Sequence, residues 1–488
     1  MAQSRHGCPY AKKCGGCQLQ NLTYAQQLQH KQVQCIRLLG RFCRVEEIIG
    51  MPNPYHYRNK VQAAFALDAH RNIISGVYQA ASHKVVAVEH CMTEDEKADE
   101  IIATVRKLLK SFKLFPFDPD TKRGFLRHVL VKRGFRSGQI MVVLVTGVRE
   151  FPKKRSFVNA LLKAHPEITT VLQNVNPRRT SMVLGKEEFV LFGDGKIEEQ
   201  LGDMTFRISA RAFYQINPVQ TEILYRKALE FADLKGHETV IDAYCGTGTI
   251  GIFAAPHAKQ VIGVELNGDA VKDAKENAKI NRIGNIRFFE ADAGEFMLAA
   301  AQAGEHADVV LMDPPRAGSD KKFLSALVTL APKKVVYISC NPETQQRDLL
   351  YLCKNGYAVK KIQPVDMFPH TSHVETVVLL SHKKPDGHIN VKVEFGEGEG
   401  KVPLDNIAKR AESYKPKERV TYKMIKEYIE AKYGFKVHTA YIAEVKRDLG
   451  LPMYDAPNAV EELKQPRKHP TPEKVEAIKD ALKHFEVI

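Results

Sequence analysis

The residues of this chain that are most suited to chemistry follow short apolar runs in its second half. The run that begins at Thr239 leads into a glycine loop, DAYCGTG, and glycines in such a loop let the backbone turn sharply and approach a ligand. The next run, QVIGVEL, brings in Glu265, a carboxylate placed to accept hydrogen bonds from the hydroxyls of a ribose. Together these features indicate a site for a dinucleotide or for S-adenosylmethionine (SAM).

The motif DPPR at residues 313–316 distinguishes between these two cofactors. It follows the run DVVLM, so we expect the Asp313 carboxylate and a rigid proline turn beside the glycine loop. An enzyme that uses NAD has no need for this element, whereas SAM-dependent methyltransferases commonly carry Asp or Asn before two prolines at that place. The motif therefore favours SAM. The alternative is a proline turn that only ends a buried strand.

A thiol and a candidate base follow the next apolar runs. The run VVYIS delivers Cys340 to the same edge, where a partly exposed thiolate is a candidate nucleophile. The alternative is a small buried residue that closes the strand. His370, His373 and Glu375 stand close to the start of the run VETVVLL and supply a candidate acid or base near that thiol.

Methylation of uracil at carbon 5 needs this set of groups. Carbon 5 is not nucleophilic enough to attack a sulfonium methyl group, but addition of a thiolate to carbon 6 gives an enolate with carbanion character at carbon 5. After carbon 5 has taken the methyl group, a base removes its proton, and elimination frees the thiol. The chain offers one candidate each for the methyl-donor site, the thiolate and the base.

The elements that must position these groups can be inferred from the pattern of apolar runs. From residue 205 to 384 the runs alternate with helical segments, which predicts an α/β fold: a doubly wound, Rossmann-like parallel sheet whose last strand is antiparallel. With the DPPR motif, the sheet is expected to be of the SAM-dependent methyltransferase type. Carboxyl ends of parallel strands meet at one edge, so the candidate residues should lie together. Residues 51–204 carry shorter alternating runs that predict antiparallel strands and a helix near 94–112.

The two ends of the chain differ from its middle. Residues 1–50 hold a cysteine-rich segment and a polar helix, and residues 385–488 form a C-terminal extension that opens with a linker around 383–403. In this extension TYKMIKEYIEAKYG and TAYIAEVKRDLG each begin with Thr and end with Gly, as capped helices do. The pair predicts either a helix-turn-helix-like unit or a small helical bundle. The expected domains are therefore residues 1–50, 51–204, 205–384 and 385–488.

Composition and charge indicate what kind of partner and which cellular location to expect. The chain has 488 residues and a formal net charge of +15, of which residues 1–384 carry +14. Such an excess favours a polyanionic partner such as RNA, although a basic protein without a nucleic-acid role is the alternative. The longest apolar runs are far shorter than the ~20 residues of a membrane span, and the first residues do not resemble a secretory signal. We expect a cytoplasmic monomer with no membrane partner.

The motifs quoted above resemble those of a known family. DPPRAG, VVYISCNPET and VDMFPHTSHVE are similar to signatures of the RNA uridine 5-methyltransferases, and the resemblance covers about residues 1–382. It implies that Cys340 is the nucleophile and Glu375 the base, and that Arg316 helps to position the uracil or its phosphates. For SAM it implies a set of five contacts, namely Gln215, Tyr244, Glu265, Asp292 and Asp313.

The N-terminal cysteines resemble the iron–sulfur motif of the family's ribosomal-RNA branch. The chain has nine cysteines, and three of them form the pattern C-x5-C-G-G-C. The resemblance implies a 4Fe–4S cluster held by Cys8, Cys14, Cys17 and Cys91, with zinc as the alternative, although the x5 spacing is unlike the usual x2 pairs of zinc ribbons. Cys35 and Cys43 are interpreted as packing residues. The motif favours 23S rRNA as the substrate over tRNA.

The chain also departs from the family. Many members begin with a small β-barrel RNA-binding domain, whereas this sequence starts at the cysteines. RNA affinity is therefore expected from basic side chains of the central region, namely Arg58, Lys60, Arg127, Lys132 and Arg133.

Two other functions fit the sequence less well. An amino-group methyltransferase usually has an aromatic residue after the two prolines, where this chain has Arg316, and it does not need Cys340. A non-catalytic RNA-binding protein would not need Cys340, Glu375 and Asp313 together.

Overall fold

The computed structural model describes residues 7–79, 82, 84–180, 182–383, 422–449 and 470–485. The chain divides into two compact units, Met1–Tyr414 and Lys415–Ile488. In the described part of the chain, no helix has the length and apolar character needed to cross a membrane.

The N-terminal region contains two helices, α1 (Ala11–Cys14) and α2 (Tyr24–Leu39). Helix α2 begins at a capping box, in which the Thr23 side chain accepts a hydrogen bond from the Gln26 backbone and the Gln26 side chain accepts one from the Thr23 backbone. Its buried face ends with Leu39, which lies in a core shared with the second large sheet described below. The N-terminal region therefore packs onto that sheet.

A seven-stranded sheet follows, in the strand order β3-β2-β1-β4-β5-β6-β7. Its pairs are antiparallel as predicted, except for β5 and β6, which are parallel because helix α4 carries the chain back across the sheet. The prediction of antiparallel strands is wrong for this pair. The elements are β1 (Lys60–Leu67), β2 (Ile73–Tyr78), β3 (Val85–Ala87), α3 (Glu96–Ser111), β4 (Leu126–Arg133), β5 (Ile140–Thr146), α4 (Lys154–Ala164), β6 (Ile168–Val175) and β7 (Glu187–Phe192).

A two-stranded ribbon, β8 (Lys196–Leu201) and β9 (Met204–Ser209), connects the two large sheets. Its apolar side chains Ile197 and Phe206 share a core with Leu130 of β4 and with Val240 of the second sheet. One face of the first sheet therefore packs on the ribbon, and its other face packs on α3 and α4.

The second large sheet has the order β12-β11-β10-β13-β14-β16-β15. The first five strands are parallel, and β16 lies between β14 and β15 and is antiparallel to both, so the predicted α/β sheet with its antiparallel last strand is confirmed. The elements are α5 (Pro218–Ala232), β10 (Thr239–Ala243), α6 (Thr249–Ala254), β11 (Gln260–Glu265), α7 (Gly268–Ile280), β12 (Ile286–Glu290), α8 (Ala293–Gln302), β13 (Val309–Met312), α9 (Lys321–Leu330), β14 (Lys334–Ser339), α10 (Pro342–Lys354), β15 (Tyr357–Val365) and β16 (Glu375–His382).

Both faces of this sheet are covered by apolar packing. Val240 and Leu311 belong to one core, and their neighbours Ile241 and Val310 belong to the core on the opposite face. Burial on both faces explains why the parallel strands are continuous apolar runs in the sequence.

The second unit contains three described helices, α11 (Tyr422–Tyr433), α12 (Thr439–Asp448) and α13 (Pro472–His484). The first two coincide with the two capped segments, and α13 was not predicted. Ile425, Ile442 and Ile478, one from each helix, meet in a common core. The linker expected around 383–403 lies outside the described residues beyond Lys383.

Candidate active site and thiol cavity

The carboxyl ends of the parallel strands bring most of the candidate residues to one edge of the second sheet. Ala243, the last residue of β10, pairs with Val264 of β11 and with Met312 of β13, and Met312 pairs with Tyr337 of β14. The candidates at this edge are Tyr244, Glu265, Asp292, Asp313 and Cys340, each within two residues of a strand end. The predicted convergence is therefore found.

The glycine loop has the backbone geometry that its composition suggests. Tyr244, Gly246 and Gly248 have φ values of 65°, 54° and 80°, in the left-handed region where glycine is favoured. A Cβ at Gly248 would lie 2.8 Å from the Phe288 ring, so this position has no room for a side chain. The Glu265 carboxylate accepts a hydrogen bond from the Gly246 backbone at 3.0 Å, which holds it against the loop.

Asp242 is a candidate that sequence reasoning missed. It is buried in β10, and its Oδ2 accepts a hydrogen bond from the Gly251 backbone at 2.8 Å. Its Oδ1 is buried and has no hydrogen-bond partner among the described residues. Burial, the strongest of the influences on it, raises the pKa of this carboxyl to about 8. The only signal in the sequence is its place as the first letter of DAYCGTG.

Gln215 lies on a different element from the strand ends. It is half-buried and stands two residues before Asn217, the N-cap of α5. The Asn217 side chain donates a hydrogen bond to the Met367 carbonyl at 2.9 Å. This contact fixes the segment that carries Gln215 beside the loop that leads into β16.

Cys340 and Glu375 lie opposite each other on neighbouring strands. Ser339 of β14 pairs with Thr376 of β16, so the two residues occupy the next position of this antiparallel pair. Cys340 is half-buried, and Glu375 is 3% exposed. Burial and the negative charges of Glu375 and Asp313 raise the pKa of the Cys340 thiol to about 11, with Arg316 acting in the opposite direction.

The two carboxyl groups at this edge also hold protons more tightly than usual. Burial, followed by the charge of Asp313, raises the pKa of Glu375 well above its ordinary value. Burial raises the pKa of Asp313 to about 7. When ionised, Glu375 is therefore a stronger base than an exposed carboxylate.

The DPPR turn is attached to the segment that carries the thiol. The Arg316 carbonyl accepts hydrogen bonds from the side chains of Asn341 and Thr344, each at 3.3 Å. The Arg316 guanidinium lies 3.1 Å from Nδ1 of His373. His370, the other predicted acid or base, instead packs against Tyr55 and lies 3.2 Å from the Gln27 side chain, so the structure does not bring it to the thiol.

A buried ion pair that the sequence did not signal holds the loop ahead of Glu375. Lys31 Nζ lies 2.6 Å from Oδ1 of Asp366, and both side chains are fully buried. Lys31 also donates to the Phe368 carbonyl at 3.0 Å, and the Tyr24 hydroxyl donates to Oδ2 of Asp366 at 3.0 Å. Helix α2 therefore anchors the loop between β15 and β16.

The four N-terminal candidate ligands line one cavity of about 280 Å³. These residues are Cys8, Cys14, Cys17 and Cys91, and Arg58 also lines the cavity. Burial is the largest influence on two of the thiols, raising the pKa of Cys17 and raising that of Cys91 to about 11. Among the described residues, no three His, Cys, Asp or Glu side chains form a group that could hold a metal ion.

The cavity is connected to the loop that precedes Glu375. Leu19, two residues after Cys17, donates its backbone hydrogen bond to the His370 carbonyl at 2.9 Å. The Gln18 side chain accepts a hydrogen bond from the Ser372 backbone at 3.2 Å. Of the other cysteines, Cys35 is buried in the core as expected. Cys43 also packs against this core, but it lies beyond the end of α2 and not on a helix face, and it is half-buried.

The structure corrects part of the expected RNA-binding set. Arg127 and Lys132 are buried, and their side chains donate to backbone carbonyls, including that of Ser209 at 2.8 Å from Lys132. They lie inside the protein because β4 is a central strand that is covered on both faces. Arg133 forms an ion pair with Asp95 at 2.7 Å and is partly exposed.

The chain is similar to known proteins over most of its length. A family model described as tRNA (uracil-5-)-methyltransferase matches residues 23–383. An uncharacterized RNA methyltransferase of Clostridium tetani is 44% identical over 379 residues, which cover 77% of this chain and 82% of that protein. A second uncharacterized RNA methyltransferase, from Halalkalibacterium halodurans, is 44% identical over 381 residues, 77% of this chain and 83% of its own length.

A solved structure is similar over most of the chain. It is the crystal structure of the Pyrococcus abyssi tRNA (uracil-54, C5)-methyltransferase in complex with S-adenosyl-L-homocysteine, with a TM-score of 0.63 and 29% identity. The similarity covers 75% of this chain and 85% of that one. The family match, the two sequence relatives and the solved structure all agree with the fold and with the candidate residues found at the strand ends. The chain therefore belongs to the RNA (uracil-5-)-methyltransferase family and is an RNA methyltransferase that uses SAM.

Proposed function

We propose that this enzyme methylates carbon 5 of a uridine in structured RNA, with 23S rRNA as the favoured substrate. The observation that carries the proposal is the placement of Cys340, directly after β14, opposite Glu375, the first residue of β16, beside Asp313. A thiol, a carboxyl base and a carboxylate for the methyl donor then meet at one sheet edge.

The chain's own groups divide the chemistry between them. The Cys340 thiolate adds to carbon 6 of the uracil, which makes carbon 5 nucleophilic enough to accept a methyl group. Glu375 then takes the proton from carbon 5, the carbon–sulfur bond breaks, and Cys340 leaves as its thiolate. Because both groups sit on adjacent paired strands, their separation is fixed before the RNA binds.

SAM supplies the methyl group, and the strand-end carboxylates are the groups that fit it. Glu265 is the last residue of β11, lies against the glycine loop and is proposed to bind the ribose hydroxyls. Tyr244, Asp292, Asp313 and Gln215 complete the proposed contacts.

Replacement of Cys340 tests the proposal directly. We expect Cys340→Ala to abolish methylation and to leave SAM affinity nearly unchanged, because the thiol acts on the base. With RNA that contains 5-fluorouridine, the wild-type enzyme should form a covalent adduct that Cys340→Ala cannot form. Cys353→Ala is the matched control, since Cys353 is also half-buried but lies on α10. Continued turnover by Cys340→Ala would disprove the assignment.

We also propose that the thiol cavity holds a 4Fe–4S cluster. All four candidate cysteines line it, and a cubane gives each thiolate its own iron. A single zinc ion is the alternative, but the x5 spacing between Cys8 and Cys14 is unlike the usual x2 pairs of zinc ribbons. The cluster would hold its ligands as thiolates, although burial alone favours the protonated form of Cys17 and Cys91.

Iron content tests the cluster without reference to activity. Protein purified without oxygen should contain about four irons and absorb near ~400 nm. Cys91→Ser should lose both signals, and Cys43→Ser, which changes a thiol that does not line the cavity, should keep them. Stoichiometric zinc in colourless protein would contradict the proposal.

The choice of RNA rests on two opposing similarities. The cysteine motif resembles that of the ribosomal-RNA branch and supports 23S rRNA, whereas the solved relative acts on uracil 54 of tRNA and supports tRNA as the second candidate. Mass-spectrometric mapping of 5-methyluridine in both RNAs, with and without the protein, separates them. We propose that the enzyme acts as a monomer in the cytoplasm.

A further inference from the structure

The buried Arg127 organises a loop that carries other basic residues. Its guanidinium donates to the carbonyls of Asn176, Arg178 and Thr180 at 2.7, 2.6 and 3.4 Å. We call residues 176–186, apart from residue 181, which lies outside the described part, the arginine loop. The buried Arg127 guanidinium therefore holds the first residues of this loop in place.

Further hydrogen bonds hold the rest of the arginine loop. The Asn176 side chain donates to the carbonyls of Met182 and Val183 at 2.8 and 2.9 Å, and the Asn174 side chain accepts from the Gly185 backbone at 2.6 Å. A Cβ at Gly185 would lie 1.8 Å from the Val175 carbonyl oxygen, so the loop approaches β6 too closely for a side chain there. The backbone conformation is therefore set before any ligand binds.

The side chains that this backbone presents are basic and exposed. Arg178, Arg179 and Lys186 are all exposed, and the side chain of Arg179 is 79% exposed. Arg179 lies 3.1 Å from Asp120, but an ion pair between two exposed side chains contributes little free energy and leaves the guanidinium available.

The arginine loop is attached to the segment that carries Gln215. The Arg211 guanidinium donates to the Gly185 carbonyl, and Arg211 lies four residues before Gln215. Val183 packs against the core that includes Tyr214. The loop therefore borders the segment proposed to contact SAM.

We infer that the arginine loop binds RNA phosphates next to the target uridine. The inference rests on the proposed function, because it places the RNA at the same site. Arginine has a planar fork of donors that matches phosphate oxygens, and phosphate contacts fix the position of an RNA without reading its sequence. A loop that is already ordered loses little conformational entropy on binding. The +15 net charge favours a polyanionic partner, and RNA is the polyanion on which the family of this chain acts.

The test compares two double variants of the full-length protein. Arg178→Gln/Arg179→Gln removes two exposed charges from the arginine loop. Lys259→Gln/Lys333→Gln is the matched control, because both lysines are exposed at the opposite edge of the second sheet and Lys333 pairs with Asp308 as Arg179 pairs with Asp120. Affinities for a 23S rRNA transcript and for unfractionated tRNA are measured at several salt concentrations.

We expect the loop variant to bind RNA at least about tenfold more weakly, with a slope of log K against log salt that is shallower by about 1.4–1.8, as two lost phosphate contacts require. Its SAM affinity should equal that of the wild type, and the control variant should change neither quantity. Arg127→Lys should also weaken RNA binding, since an ammonium cannot reach three carbonyls, although no exposed charge is removed.

Two outcomes overturn the inference. An RNA affinity and salt slope in the loop variant equal to those of the control would show that the loop does not bind RNA, and binding of an acidic protein would then be the alternative. A weaker affinity with an unchanged slope would show that phosphates are not the ligand. If the wild type binds RNA but does not methylate it, the proposed function fails while this binding test still stands.

Discussion

Replacing Lys31 by Met should destabilise the first unit strongly. Lys31 Nζ lies 2.6 Å from the Asp366 carboxylate, and neither side chain is exposed. The variant leaves this carboxylate buried with the Tyr24 hydroxyl, 3.0 Å away, as its remaining side-chain donor. Loss of one partner of a buried pair costs about 3–5 kcal/mol, because the other charge stays buried without compensation.

That cost is large against the stability of a typical protein. Native proteins are stable by about 5–15 kcal/mol, and about 4 kcal/mol changes the unfolding equilibrium roughly a thousandfold. The measurement is urea unfolding followed by far-ultraviolet circular dichroism, because the chain has no tryptophan. A lower midpoint with an unchanged slope would report lost stability of the folded state.

A double variant distinguishes the interaction between Lys31 and Asp366 from the effects of each substitution on its surroundings. Lys31→Met/Asp366→Asn removes both charges and should recover most of the lost stability, because the burial cost disappears with the attraction. A single variant that loses less than about 1 kcal/mol, or a double variant that loses the sum of both singles, would refute the reasoning.

The pH dependence of stability gives a further check on the same pair. Burial, opposed by Asp366, lowers the pKa of Lys31 in the folded protein. Between this lowered value and the ordinary value of 10.5, the unfolded chain binds more protons than the folded one, so stability should rise with pH. The rise should be smaller in Lys31→Met, where the lowered pKa values of other lysines such as Lys60 and Lys132 remain.

The remaining predictions concern catalysis and the C-terminal extension. Glu375→Gln should still transfer the methyl group but keep RNA covalently attached, which gel electrophoresis under denaturing conditions would show; loss of all RNA binding without an adduct would point to a structural role. Because the pKa of Cys340 is raised to about 11, the thiolate fraction should rise about tenfold per pH unit from about pH 6 to 9. We expect kcat/KM to rise at least as steeply, because the base Glu375, whose pKa is also raised, must be ionised too; a flat profile would contradict this. Ending the chain after residue 384 should leave SAM binding intact and weaken only binding to long RNA, with a shallower salt dependence; a folded product that cannot bind SAM would show that this boundary is wrong.

The sequence predicts the catalytic edge well because parallel strands converge. Asp313 and Cys340 each follow a recognisable apolar run, and the topology of a parallel sheet then brings their positions together. The strand β15 was missed because its middle residues Lys360 and Lys361 are exposed and a register shift follows Val359, so its pattern is neither alternating nor continuously apolar.

The positions of buried cations could not be predicted from the sequence. The segment LRHVLVKR has the pattern of a strand with a basic, exposed face. In the structure, however, Lys132 donates a hydrogen bond to the Ser209 carbonyl, and Arg127 donates to three carbonyls in the loop after β6. Lys31 likewise lies on a helix without a clear apolar stripe. In each case the partner is far away in the chain, and the local pattern carries no information about it.

The position of β16 has a consequence for how the protein is made. Strand β16 is inserted between β14 and β15, so Cys340 and Glu375 cannot face each other until residue 382 has been synthesised. Helix α2 is synthesised early, but its buried face cannot be fully covered until β15 has also been synthesised. Closing a loop of roughly 300 residues costs about 5 kcal/mol of chain entropy. During translation the nascent chain therefore exposes the unpaired edge of β14, where premature pairing with another chain would compete with folding.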